Sequence, residues 1–92
     1  MEFVSGNKRI QLNSGTCLDN TSDGIKLTAS SDYCHIALTV LRTNGGYGVN
    51  IAASTCDNNT IIGNHFDSNT TAAGNNSGTG TLIRSNIGLA DN

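Results

Sequence analysis

The chain repeats itself at a spacing near 24 residues, and a repeat of that length narrows the possible folds more than any local propensity does. Laid over "LNSGTCLDNTSDGIKL" (residues 12–27), the stretch "HIALTVLRTNGGYGVNI" (35–51) places Ile36 on Leu12, Leu41 on Cys17 and Asn44 on Asn20, each 24 residues apart. Gly48 on Gly24, Val49 on Ile25 and Ile51 on Leu27 keep the same spacing. "TIIGNHFDSN" (60–69) continues the frame at 25, with Ile61 on Ile36, Phe66 on Leu41 and Asn69 on Asn44. "LIRSNIGLAD" (82–91) is a degraded fourth copy at 22, with Ile83 on Ile61, Ser85 on Gly63, Asn86 on Asn64 and Asp91 on Asn69.

Periods of this size occur in helical arrays as well as in β-solenoids, so the content of the unit decides. Each unit holds short alternating runs, "GIKLTA" with Ile25 and Leu27 on one face and "HIALTVL" with Ile36 and Leu38 on one face, separated by Ser, Asp, Asn and Gly clusters. No longer segment keeps a period of about 3.6. At about 3.3 Å per strand residue, one unit closes one coil of a parallel β-helix. The expected fold is therefore all-β, a short parallel β-helix of about three coils with a period of 22–25 residues, forming a single domain over 1–92. A loop-like interruption is expected at 70–81, because "AAGNN" (72–76) stands where earlier coils have "DGIKL" and "YGVNI".

Sharp corners give the asparagines their place. Asn tolerates unusual backbone angles, bonds neighbouring main chain, and can bond its counterpart in the next coil. Asn20, Asn44 and Asn69 are expected to form such a ladder with Asp91 in its terminal place, and Asn64 and Asn86 a second corner. The inward stacks read Leu12, Ile36, Ile61, Ile83; Cys17, Leu41, Phe66; and Phe3, Leu27, Ile51. Ser14, Leu38, Gly63 and Ser85 share a further stack, in which Gly63 makes room for Phe66.

Composition agrees with this and excludes other classes. Apolar residues are 36 % and aromatics 4 % of the chain, too few for a thick two-layer core, and charged residues are only 13 % with no proline, unlike a disordered chain. A net charge of -2 with Lys8, Arg9, Lys26, Arg42 and Arg84 scattered gives no footprint for nucleic acid. Neither a signal peptide nor a membrane-spanning run is present, so no membrane partner is expected. Cys17, Cys34 and Cys56 lack metal-type spacing and read as small buried hydrophobes, with no metal or other cofactor implied.

The same register tests for chemistry. It sets Asp23 on Tyr47, Asp32 on Cys56, Asp19 on Thr43 and Asp67 on Arg42, so no acid is expected directly above another, whereas glycoside cleavage needs two carboxyl groups roughly 5 to 9.5 Å apart. No catalytic residue is assigned. Arg42 and Asp67 read as an outward ion pair, His65 as an outward side chain after a corner, and these three with Tyr47 are the candidate surface or glycan contacts. "GNNSGTG" (74–80) lacks phosphate-loop spacing, and the N-x-[ST] triplets at Asn20, Asn58, Asn69 and Asn75 are chance matches in so polar a chain.

"NNTIIGNHFDSN" (58–69) and "GTLIRSNIGLADN" (80–92) resemble coils of the right-handed parallel β-helix superfamily that contains pectate lyases, polygalacturonases and bacteriophage tailspikes. The resemblance implies a right-handed parallel β-helix with carbohydrate-facing surfaces and a virion-associated or extracellular role, and no catalytic motif transfers with it. Small size, ends without a capping element, and outward apolar residues (Ala37, Val40 and Ile62 on one outer face) lead to the expectation of a homo-oligomer, a trimer by resemblance. The functional expectation is a non-catalytic structural and carbohydrate-contacting module, with a fragment of a polysaccharide lyase or glycoside hydrolase and a self-stacking filament subunit as alternatives.

Overall fold

The computed structural model describes residues 2–3 and 9–92. Among the described residues eleven short strands run in the order β1 Glu2–Phe3, β2 Gln11–Asn13, β3 Thr16–Leu18, β4 Ile25–Leu27, β5 His35–Ala37, β6 Val40–Arg42, β7 Tyr47–Ile51, β8 Thr60–Ile62, β9 His65–Asp67, β10 Ala72–Asn76 and β11 Leu82–Arg84. They stack as three parallel sheets, β1-β4-β7-β10, β2-β5-β8-β11 and β3-β6-β9. The protein is a parallel β-solenoid of about three turns.

Strand register follows the repeat residue for residue. Leu12 pairs with Ile36, Ile36 with Ile61 and Ile61 with Ile83. Cys17 pairs with Leu41 and Leu41 with Phe66. Phe3 pairs with Leu27 and Leu27 with Ile51 along the main chain, while the inward direction expected of the Phe3 side chain lies outside the described residues, as does Lys8. Ile25, Leu27, Ile36, Leu41, Val49, Ile51 and Ile61 are all but completely buried, so a stack one side chain wide per strand makes the core.

The corners follow a rule that the repeat alone does not announce. Residues with left-handed φ flank the strands of two sheets, and three rows of these climb the solenoid: Arg9, Tyr33, Asn58 and Gly80 just before β2, β5, β8 and β11; Ser14, Leu38, Gly63 and Ser85 just after them; and Asp19, Thr43 and Ser68 just after β3, β6 and β9, all with φ between 51° and 70°. One αL residue between extended neighbours bends the chain sharply at a cost of about 1 to 2 kcal/mol for a non-glycine residue. Main-chain bonds to the next coil offset that cost. Ser14 N–H donates to Ala37 O, Asp19 N–H to Arg42 O, Tyr33 N–H to Asp57 O and Thr43 N–H to Asp67 O, at 3.0 to 3.2 Å.

This rule corrects the reading of Leu38. Alternation puts it on the inner face with Ile36, but the αL bend at Leu38 breaks the two-residue period and turns the side chain out, leaving it 62 % exposed beside a fully buried Ile36. Gly63, in the same row, makes no room for Phe66: a Cβ there would touch only Leu38 Cδ2, at 3.5 Å. The glycine that Phe66 requires is Gly48, where a Cβ would lie 2.7 Å from Phe66 Cδ1 and 2.8 Å from Asn69 Nδ2.

The expected loop at 70–81 contains a strand. β10 pairs with β7 in register, Ala72 with Tyr47, Gly74 with Val49, Asn75 with Asn50 and Asn76 with Ile51. Main-chain pairing needs no apolar side chain, and the missing inward group comes from elsewhere: Leu89 packs against the core so close to Gly74 that a Cβ on Gly74 would be 3.1 Å from Leu89 Cδ1.

Candidate functional site

The corner asparagines share one bonding pattern, in which each amide serves the main chain of the preceding coil. Asn44 Oδ1 accepts the Asn20 N–H (3.2 Å) and Nδ2 (2.8 Å), while its own Nδ2 donates to Cys17 O at 3.0 Å. Asn69 repeats this one coil on, accepting Asn44 N–H (3.1 Å) and Nδ2 (2.9 Å) and donating to Leu41 O at 3.0 Å. Asn64 accepts Thr39 N–H (2.9 Å) and donates to Ile36 O (2.9 Å), and Asn86 accepts Asn64 N–H (2.8 Å) and Nδ2 (3.1 Å) and donates to Ile61 O (3.0 Å). Asp91 does not end the first ladder; its carboxylate accepts the Ser85 N–H at 2.9 Å.

A third corner escaped the sequence reading. Asn59, almost fully buried, accepts Cys34 N–H at 2.8 Å and donates to Ser31 O at 3.0 Å. Its signal was present, since Asn59, Asn64 and Asn69 stand five residues apart. Thr81 takes the corresponding place in the last coil, and its buried hydroxyl finds no partner among the described residues.

The outer face of β3-β6-β9 brings several candidate contacts together. Thr16, Val40 and His65 form one row, to which Ile87 adds by a bridge to His65, and Leu18, Arg42 and Asp67 form the second. Arg42 Nε lies 3.5 Å from Asp67 Oδ2 with both side chains more than half exposed, and His65, Leu18 and Ile87 are exposed as well. Tyr47 stands apart in β7, where its N–H donates to Asp23 Oδ1 at 2.8 Å.

The apolar strip is a ridge around a corner. Ala37 and Ile62 are neighbours in the β2-β5-β8-β11 sheet, but Val40 belongs to the next sheet, and the exposed Leu38 stands between them. Placing Ala37, Val40 and Ile62 on one face is therefore corrected to two faces meeting at Leu38. A second exposed feature is Tyr33, whose ring has the Arg9 guanidinium 5.9 Å from its centroid.

The acids are engaged one by one. Asp19 accepts the Thr43 hydroxyl, and Asp23 uses both oxygens, for Tyr47 N–H and for Asn50 Nδ2 at 3.0 Å. Asn50 in turn accepts Asn75 Nδ2 at 2.9 Å. Asp32 is corrected: it stands over Asp57, whose N–H it accepts at 2.9 Å, because the register has already lengthened from 24 between Leu27 and Ile51 to 25 at this point. An acid does therefore lie above an acid.

Cys17, Cys34 and Cys56 are free and buried. Burial pushes the Cys17 and Cys34 thiols above their ordinary value, which suppresses the reactive thiolate, and at Cys34 the nearby Asp32 and Cys56 push the same way. Cys56 Sγ donates to Ala29 O at 2.7 Å. Among the described residues no group of three or more His, Cys, Asp or Glu side chains is arranged to hold a metal ion. No protein-family model, curated protein or solved structure matches the chain.

Proposed function

We propose that the chain is a non-catalytic structural module that presents a polysaccharide-contacting face within a homo-oligomer, a trimer of the kind formed by tailspike-type fibres of the right-handed β-helix superfamily. The observation that carries this reading is the outer face of β3-β6-β9, where Arg42, Asp67 and His65 stand in rows beside exposed Leu18 and Ile87. Sugars offer hydroxyls to charged groups and C–H faces to apolar ones, and strands about 4.8 Å apart hold both kinds of group in fixed relation. The ridge of Ala37, Leu38, Val40 and Ile62 supports association with further copies, since a lone monomer would gain nothing from that apolar surface.

The test is a panel of acidic and neutral polysaccharides titrated into isotope-labelled protein. Shifts centred on residues 40–42 and 65–67, with binding weakened at least about tenfold, or 1.4 kcal/mol, in the Arg42→Ala/Asp67→Ala double variant, support the face. Saturable binding that the double variant leaves unchanged rejects it.

The polysaccharide-cleaving alternative has one observation on its side, the stacking of Asp32 on Asp57. Because the Asp32 carboxylate is buried and already accepts a main-chain N–H, it serves as a turn cap and the structural reading is preferred. New reducing ends or unsaturated products released from any of the polysaccharides, and abolished by Asp57→Asn, would reverse that preference.

A further inference from the structure

Two demands of the fold meet at neighbouring residues. The ladder needs an amide at position 44, where the fully buried Asn44 accepts Asn20 N–H (3.2 Å) and Nδ2 (2.8 Å) and donates to Cys17 O (3.0 Å) and Asn69 Oδ1 (2.9 Å). The preceding coil needs a residue without a side chain at position 45, because a Cβ on Gly45 would collide with the Thr21 carbonyl oxygen. Together these demands write Asn–Gly, a dipeptide found nowhere else in the chain.

Asparagine is chemically labile, and its lability depends on the residue that follows. The next main-chain nitrogen attacks the side-chain amide carbon, and glycine leaves that attack open, with no Cβ in its path and a backbone free to turn. The ladder counterparts Asn20 and Asn69 are followed by Thr21 and Thr70, whose branched side chains hinder the same approach. In the folded chain the reaction at position 44 is closed from both sides. The peptide unit between Asn44 and Gly45 is held at each end, its carbonyl accepting Thr70 N–H at 2.9 Å and its N–H donating to Asn20 O at 2.8 Å. The amide carbon reaches that nitrogen only by giving up its side chain's bonds to Asn20, Cys17 and Asn69.

We propose that Asn44–Gly45 is a spontaneous modification site sealed by the ladder, so that a chain whose central coils open is converted and does not close again. The step balances with water alone. The Gly45 nitrogen loses its proton and bonds to Asn44 Cγ, the bond from Cγ to Nδ2 breaks, and ammonia leaves. Water then opens the succinimide to aspartate at position 44, or to isoaspartate, in which the main chain runs through the side-chain carboxyl carbon. Neither product rebuilds the corner. Aspartate has no N–H to give, so its charged oxygens face Cys17 O and Asn69 Oδ1, acceptor against acceptor in a buried place. Isoaspartate adds a carbon to the main chain between strands whose register is fixed on both sides, at Leu41 and at Val49. The lifetime of the folded chain is then set by how often these coils open.

Mass spectrometry of the full chain tests this, with heavy-oxygen water marking each converted asparagine and fragmentation of the tryptic peptides 10–26 and 43–84 assigning it. In guanidinium chloride Asn44 should convert well ahead of Asn20 and Asn69. In native buffer its conversion should be at least about a hundredfold slower than in denaturant, because reaction waits for a rare opening. Ile51→Ala, which thins the core and leaves the dipeptide alone, should speed conversion in native buffer. Asn44→Asp should lack the β-sheet circular dichroism of the parent. Equal rates in native buffer and denaturant, conversion of Asn44 no faster than of Asn20 and Asn69, or a native rate indifferent to Ile51→Ala overturns the proposal. So does an Asn44→Asp chain that keeps the parent's circular dichroism and unfolding midpoint, since conversion would then be harmless to the fold.

Discussion

Asn69 Oδ1 accepts both the main-chain N–H and the side-chain Nδ2 of Asn44, at 3.1 and 2.9 Å, across a coil spacing of 25 residues. With Asn44 in the same relation to Asn20, one fully buried side chain links three successive coils, bonding polar groups in the coils on either side of its own. Asn44→Ala strands the Asn20 N–H and the Cys17 carbonyl together. Because leaving buried polar groups unpaired costs about 1 to 3 kcal/mol, denaturant unfolding should register a loss in that range. An unchanged midpoint would mean that the corner does not depend on the amide.

Thr81 offers the reverse experiment. It occupies the rung below Asn59 with an unpartnered hydroxyl, and Asn86 shows that a 22-residue step still permits the ladder geometry. Thr81→Asn should let the new amide accept Asn59 N–H and reach Cys56 O, raising stability by about 0.5 to 1.5 kcal/mol, the net worth of an added hydrogen bond. A lower melting temperature would show that this corner is shaped by the Thr81 backbone and cannot hold the longer side chain.

How far such corners could be read in advance depended on what kind of signal carried them. The inward stacks and the ladder of Asn20, Asn44 and Asn69 are side-chain patterns, and they stand in the chain as spacings of 24 and 25. Leu38 was misplaced because its direction is set by a backbone angle, and αL positions here accept Arg, Tyr, Leu and Asp as well as Gly. The strand β10 was hidden because its apolar filling comes from Leu89, fifteen residues beyond Gly74. Asp32 was paired with Cys56 because the register lengthens by one residue between Ile51 and Asp57, where there is no repeated side chain to mark the step.

The outward pair of Arg42 and Asp67 should contribute little to stability whatever it contributes to binding. At 3.5 Å with both side chains in water, a double-mutant cycle should give a coupling of about 0.2 to 1 kcal/mol that fades as salt is added. A coupling of several kcal/mol that survives high salt would place the pair in a dry interface, and so inside the oligomer contact instead of on a glycan-facing surface.

Association is the central claim, and sedimentation velocity over a wide concentration range, run beside thermal melting of the same samples, tests it most directly. A chain with so thin a core should draw a decisive share of its stability from its copies, so the account predicts a closed oligomer whose melting temperature rises with protein concentration. Ile62→Glu and Leu38→Glu, each placing an unpaired charge where the ridge would meet another copy, should shift it toward monomer or unfolded chain. A monomer at every concentration, with melting indifferent to concentration and to both substitutions, would contradict the account.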